Sequence, residues 1–264
     1  MAAGGHLADR RRAGLAAVDR AGDLAARSVE RNRAVIVSGA GATSLGSPRL
    51  VVPAYFHPAV APDDWELLCS SPEQLESVVL NLADGPGTIY DYTFTDSLAR
   101  LRAAGVPVSG YLSTEYGTRD MAAVLADARG YRELYDVDAV FLDQVATSYD
   151  QLGYYRDLVA ALGGCRVTFN HGACPAPEYA ELADVLLTFE GSWTAYQSWA
   201  APSWVRTYPA ERFGHLIYDL PPAELPAALR LLRHRHAGLA YFTDHRGVNP
   251  WNRLASYFPR RKAG

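Results

Sequence analysis

Two short apolar runs in this chain end in acids. Val137 to Gln144 reads Val-Asp-Ala-Val-Phe-Leu-Asp-Gln, and Asp184 to Glu190 reads Asp-Val-Leu-Leu-Thr-Phe-Glu. Each is too apolar throughout to have a wet side, so each reads as a strand buried on both faces. Each places a carboxylate, Asp143 or Glu190, where the strand stops. In a parallel barrel such ends gather on one face, and that face carries the chemistry. A carboxylate pair flanked by aromatic rings suits glycosidic bond cleavage. One acid protonates the leaving oxygen, and the other acts as nucleophile or base. A single acid at a strand end more often caps a helix or pairs with an Arg. Two on alternating strands, with Asn170 between them, favour the catalytic reading. Glu190 is the expected general acid, because its approach through Leu186, Leu187 and Phe189 would desolvate it and raise its pKa.

The elements that must position these acids follow from hydrophobic period and turn residues. Strands are expected at Leu50–Phe56, Ser77–Leu82, Val106–Leu112, the stretch ending at Asp143, Cys165–Asn170, the stretch ending at Glu190, His215–Tyr218 and Leu239–Thr243. Helical spacing fills the intervals, at Tyr92–Ala104 before Gly105, Arg119–Tyr135, Tyr149–Leu162 before Gly163, and Pro222–His236 with Leu225, Leu229 and Leu232 inward. Shorter helical pieces are expected at Trp65–Leu68, Pro177–Leu182 and Trp193–Trp199. Strand and helix thus alternate eight times, which predicts an α/β fold, a single (β/α)8 TIM-type barrel domain over residues 49–264 with short helices. The competing doubly wound sheet needs a phosphate loop. Gly39-Ala-Gly41 followed by Gly46 has the wrong spacing for one, and Pro48 stands where its helix should run.

Residues 1–48 read as a separate N-terminal extension, flexible or loosely helical over Leu15–Arg31 and continuing as a Gly/Ser linker. Its apolar patch, Ala34–Val37, is shorter than the roughly 7 to 15 residues of an export signal core, which makes the cytoplasm the default expectation.

In a barrel the strand exits form one pocket. Along the chain they carry Tyr55 and His57, Asn81 and Asp84, Tyr111 and Tyr116, Asp143 and Gln144, Asn170 and His171, Glu190, Tyr218, and Asp244. Asp143 and Glu190 are the expected catalytic pair. Tyr55, His57, Asn81, Tyr111, Tyr116, Gln144, Asn170, Tyr218 and Asp244 are expected to hold a carbohydrate. His57 and His171 lack a third ligand spaced as zinc prefers, so no metal and no cofactor are expected. Ser192 and His215 come without a Gly-x-Ser-x-Gly elbow and make no hydrolase triad. His234 and His236 are expected on the solvated side of their helix.

Composition narrows the classes further. The 264 residues are 49% hydrophobic, enough for a substantial core, and carry a formal charge of -4, which gives no reason to expect nucleic acid or an anionic membrane as partner. No apolar run approaches the roughly 20 residues of a membrane span. The three cysteines, Cys69, Cys165 and Cys174, are too few and scattered for a disulfide framework. Tyr is abundant at 16, with five Trp, as is common where flat ligands such as sugars are bound. The oligomeric state is not readable from these features.

Several of these segments together resemble the spherulation-specific family 4, the spherulin-4-like proteins. The matching pieces are Val51-Val-Pro-Ala-Tyr-Phe-His-Pro58, Asn81 with Gly85-Pro-Gly87, Gly110-Tyr-Leu-Ser-Thr-Glu-Tyr-Gly117, Ala139-Val-Phe-Leu-Asp143, Phe169-Asn170 with Gly172, Ala183-Asp184 through Thr188-Phe-Glu190, and Thr243-Asp244 before Asn249-Pro250-Trp251. They run in order from Leu50 to Phe258. The resemblance implies a TIM-type barrel and, by its fungal members, hydrolysis of a polymer of galactose and N-acetylgalactosamine, an extracellular substrate. It also implies an acidic pair at the end of strand four and a Glu at the end of strand six. Asp143 and Glu190 match, but the second acid of the pair falls on Gln144, which cannot exchange a proton as a carboxyl does. Three readings therefore stand: a glycoside hydrolase of a galactosamine-containing polysaccharide, a carbohydrate-binding barrel without catalysis, and a barrel enzyme of another chemistry.

Overall fold

The computed structural model describes residues 47–259, so the helix expected over Leu15–Arg31 and the glycine turn at Gly39–Gly41 lie outside the described residues. Eight parallel strands close into a barrel in chain order, with the last pairing back to the first. They are β1 (Arg49–Ala54), β2 (Leu75–Leu80), β3 (Val108–Ser113), β4 (Ala139–Asp143), β5 (Val167–Asn170), β6 (Val185–Ser192), β7 (Phe213–Tyr218) and β8 (Leu239–Phe242). Most strand residues are buried on both faces of the sheet, which is why the strands read as continuous apolar runs rather than alternating ones.

Among the described residues, six α-helices pack outside: α1 (Pro62–Ser70), α2 (Thr95–Ala103), α3 (Met121–Tyr135), α4 (Leu152–Ala161), α5 (Trp193–Ser198) and α6 (Leu225–His234). Several are shorter than their spacing predicts because their first turn tightens into 3-10 geometry, at Tyr92–Phe94 before α2, at Tyr149–Gln151 before α4 and at Pro222–Glu224 before α6. The turn at Pro177–Glu181 is 3-10 throughout. Helix α6 buries Ala228 and Leu232, with Leu225 and Leu229 only partly covered. His236 departs from expectation. It lies past the end of α6 in left-handed geometry (φ 61°), and its Nε2 hydrogen-bonds the Tyr208 carbonyl at 2.8 Å.

Two features of the frame bear on the site. First, β6 runs two residues beyond Glu190 and carries a register shift between Leu187 and Phe189. Such irregularities re-aim side chains beside active sites. Phe189 then packs outward on Tyr196 and Trp199, at 4.8 and 5.1 Å between ring centroids. Second, α3 is anchored to the barrel wall. Asp120 caps its start by accepting from the Ala122 N–H, and the hydroxyl of buried Tyr131 donates to the Leu80 carbonyl at 2.8 Å. The Tyr131 ring abuts β3 at Gly110, where an added Cβ would come within 2.5 Å of it. Gly110 is therefore the residue that lets α3 seat against β3.

Gly110→Ala should cost about 1–3 kcal/mol by overpacking at this contact. A urea titration that leaves the unfolding midpoint unchanged would contradict the contact.

Candidate active site

The C-terminal ends of the strands enclose two hollows that share Asp143, Asn170, Glu190 and Tyr218. The larger, about 630 Å³, extends toward Tyr55, Asn81, Asp84 and Trp251. The smaller, about 360 Å³, extends toward Tyr116, Gln144 and His171. The two carboxylates thus stand on the ridge between them.

Three adjacent strands build that ridge. Asp143 is the last residue of β4, Asn170 the last of β5, and Glu190 lies in β6. The carboxylates do not face each other across the mouth. They are bridged from the strand between them: Asn170 Nδ2 donates to Asp143 Oδ1 and to Glu190 Oε2, both at 2.7 Å. Two bonds of that length on one nitrogen keep the acceptor oxygens within twice 2.7 Å, or 5.4 Å, of each other. Asn170 is itself held in place, since its Oδ1 accepts from the Gly172 N–H at 3.1 Å. The remaining carboxylate oxygens are also satisfied. Tyr111 donates its hydroxyl to Asp143 Oδ2 at 2.9 Å, and Trp251 Nε1 donates to Glu190 Oε1 at 3.2 Å.

Burial raises the pKa of both acids. At Asp143 the opposing donors are Tyr111, the backbone N–H of Gln144 and Asn170, all of which favour the anion. At Glu190 the negative charge of Asp143 adds to burial in the upward direction, against Asn170 and Trp251. Asp143 thus has three donors against burial and Glu190 two, and only Glu190 has its neighbour's like charge among the upward causes. Burial, followed by the charge of Asp143, also pushes the Tyr55 and Tyr111 hydroxyls up, so Tyr111 remains a hydrogen-bond donor.

Most of the expected residues come together. Tyr55, Asn81, Tyr111, Asn170 and Tyr218 line the larger hollow, and Tyr116, Gln144 and Asn170 line the smaller. Two do not reach either. His57 turns away to Asp91, at 2.8 Å from Nε2 to Oδ2, and to the Thr93 hydroxyl, while its ring meets the edge of Phe94. Asp244 caps a turn beyond β8, where its Oδ1 accepts from the Ser256 N–H at 2.9 Å. Gln144 lies at the rim in left-handed geometry (φ 52°), with Oε1 held by the Ser113 hydroxyl at 2.8 Å. His171 is buried and kept neutral, its pKa lowered to about 3 by desolvation, with Nδ1 against the Ala146 carbonyl. His215 is enclosed by Tyr196 and Thr188 on the outer face of the barrel.

Sequence reasoning missed Trp251. Its Nε1 reaches a residue 61 positions earlier, and its ring stands edge-on to Tyr218 at 6.1 Å. Its place beside the Asn249-Pro250 turn was the available signal.

The sequence profile of the spherulation-specific family 4 matches residues 49–261. Spherulin-4 of Physarum polycephalum is 26% identical over 234 residues, a match that covers 82% of this chain and 69% of that protein. Among solved structures, Aspergillus clavatus Sph3 in complex with GalNAc superposes with a TM-score of 0.68 at 23% identity, covering 80% of this chain and 95% of that one. At that identity the superposition establishes a common barrel.

The raised carboxyls carry a stability consequence. A carboxyl whose folded pKa exceeds its unfolded value binds more protons when folded, so its contribution is complete below the unfolded pKa and is lost as pH rises through the folded one. For Asp143 the loss begins near its ordinary value of 3.8. Asp143→Asn removes that loss and keeps the contacts, because its Oδ1 can accept from Asn170 while its Nδ2 donates to the Tyr111 oxygen. The variant should therefore be more stable than the parent at pH 7, and the difference should shrink on acidification toward pH 4. A urea-midpoint series over that range that showed no pH-dependent difference would contradict the shift.

Proposed function

The chain belongs to the spherulation-specific family 4, and from that premise we propose that it is a glycoside hydrolase acting on a galactosamine-containing polysaccharide. The observation that carries the reading is the carboxylate pair bridged by Asn170, with its oxygens no more than twice 2.7 Å, or 5.4 Å, apart. An upper limit of that size on the bridged oxygens favours the close spacing of retaining enzymes, roughly 5–5.5 Å between carboxyl groups, over the roughly 6.5–9.5 Å of inverting ones. Placement at the C-terminal ends of barrel strands, where catalysis occurs in this fold, supports the same reading. Sph3, a barrel of the same fold, has been crystallised with GalNAc, which suggests the sugar to try first.

The steps follow from the two pKa environments. Glu190 gives its proton to the glycosidic oxygen as the bond from that oxygen to the anomeric carbon breaks. Asp143 bonds to the anomeric carbon from the opposite face, and its second oxygen keeps the Tyr111 hydrogen bond. The Glu190 carboxylate then takes a proton from water, whose oxygen displaces Asp143 and restores the starting configuration. Asn170 serves both acids, and Trp251 orients Glu190.

A second reading rests on Gln144. An amide there cannot transfer a proton, and its oxygen is already engaged by Ser113. If a third acid is required at that position, the barrel binds carbohydrate without cutting it.

Reducing ends should appear when the purified protein meets galactosamine-containing polysaccharide, and the first product should retain the anomeric configuration by NMR. Asp143→Asn and Glu190→Gln should each lower turnover by roughly 10²–10⁴-fold. Binding without release by the parent would favour the second reading, and unchanged turnover in both variants would rule out the assigned acids.

A further inference from the structure

In a barrel of this kind a helix follows each strand, and the last one covers the seam where the eighth strand meets the first. Among the described residues no helix follows β8, and the chain from Thr243 to Pro259 is irregular. The seam left without its helix is also the shortest in the barrel. β8 and β1 pair only through Arg49 with Leu239 and Leu50 with Ala240, whereas β1 and β2 pair at five positions.

A groove of about 360 Å³ lies beside this seam, lined by Leu50, Phe242, Tyr257 and Phe258 and, from α6, by Leu225 and Leu229. It shares no residue with the hollows at the mouth. Leu225 and Leu229 belong to the apolar stripe of α6, yet only Ala228 and Leu232 of that helix are fully buried. The helix thus turns part of its apolar face to the groove.

The chain itself supplies an occupant. Ser47 lines the groove, so residues 1–46 join the barrel at this point. Their most hydrophobic stretch is Ala34-Val-Ile-Val37, whose three successive β-branched residues favour an extended segment. The connection from Val37 to Ser47 reaches at most roughly 33–36 Å and contains Gly39, Gly41 and Gly46, so the stretch can fold back over the groove. A dry cavity of about 150 Å³ encloses one benzene-sized group, so this groove takes about two branched side chains. Glu73 at the groove is opposite in sign to Arg31 and Arg33, which precede the stretch. The other end of the chain also leaves from here, after Pro259, but it continues as Arg260-Arg-Lys262, whose charges do not suit an apolar groove.

We propose that Ala34–Val37 docks in this groove and covers the β8–β1 seam in place of an eighth helix, which makes the N-terminal extension a structural part of the barrel.

Amide hydrogen exchange on the whole chain tests this. Residues 34–37 should exchange roughly tenfold or more slowly than in an unstructured peptide of the same sequence. Ile36→Asp should speed exchange at 34–37 and at the seam residues Leu50 and Ala240 by roughly ten- to hundredfold, the change expected from losing one buried Ile side chain, while β4 and β5 keep their protection. Leu229→Ala, on the groove wall, should produce the same release, and combining the two substitutions should add little. Exchange of 34–37 at the free-peptide rate, or a seam unmoved by Ile36→Asp, overturns the proposal. Protection of the groove that rises with protein concentration and survives Ile36→Asp also overturns it, and identifies a second copy of the chain as the occupant.

Discussion

One amide group holds the centre of this molecule together. Asn170 Nδ2 has two hydrogens and gives one to each of two carboxylates on the neighbouring strands. Left alone, two acids so close in a partly desolvated site would repel, and one would withdraw or stay protonated at all working pH values. The shared donor fixes their spacing and, with Tyr111 and Trp251, leaves no carboxylate oxygen without a partner. The rest of the barrel can be understood as the frame that holds β4, β5 and β6 in the register this bridge needs. The shift in β6 before Phe189 turns one side chain to the outer aromatic cluster and the next to the mouth.

The arrangement is a compromise between stability and chemistry. Both acids would be more comfortable in water, and burial raises both of them. Their donors offset part of that cost, unequally. Asp143 receives three and Glu190 two, and Glu190 alone carries an opposing charge among its causes. In the proposed hydrolysis this difference in surroundings is what would let one of two similar groups serve as the anion and the other as the acid.

Backbone strain gathers on the same face. Of the non-glycine residues with positive φ, Asp84, Glu115, Tyr116, Gln144 and Asp219 all follow strand ends at the mouth. Left-handed geometry costs such residues free energy, and it persists where the surroundings impose it. At Gln144 the cause is visible: its carbonyl accepts from the Tyr116 N–H at 2.7 Å and from the Thr114 hydroxyl at 2.8 Å, which ties the β3 and β4 exits together. This tie sets the rim of the smaller hollow.

The apolar runs and their breakers were enough to read eight strands, the barrel, and the mouth positions of Asp143, Asn170 and Glu190, because a strand buried on both faces announces itself and the first polar residue after the run marks its approach to the mouth, although β6 continues two residues past Glu190. The same logic placed Tyr55, Asn81 and Tyr111. It failed for His57 and Asp244, because a residue beyond a strand end points wherever its loop turns, and those loops turn toward Asp91 and Ser256. It also missed Trp251, whose partner is distant in the chain. Sequence determines which residues stand at the mouth, since period and burial are local properties. Only the closed barrel decides which of them touch, since a hydrogen bond between neighbouring strands depends on register and side-chain direction, which no single segment contains.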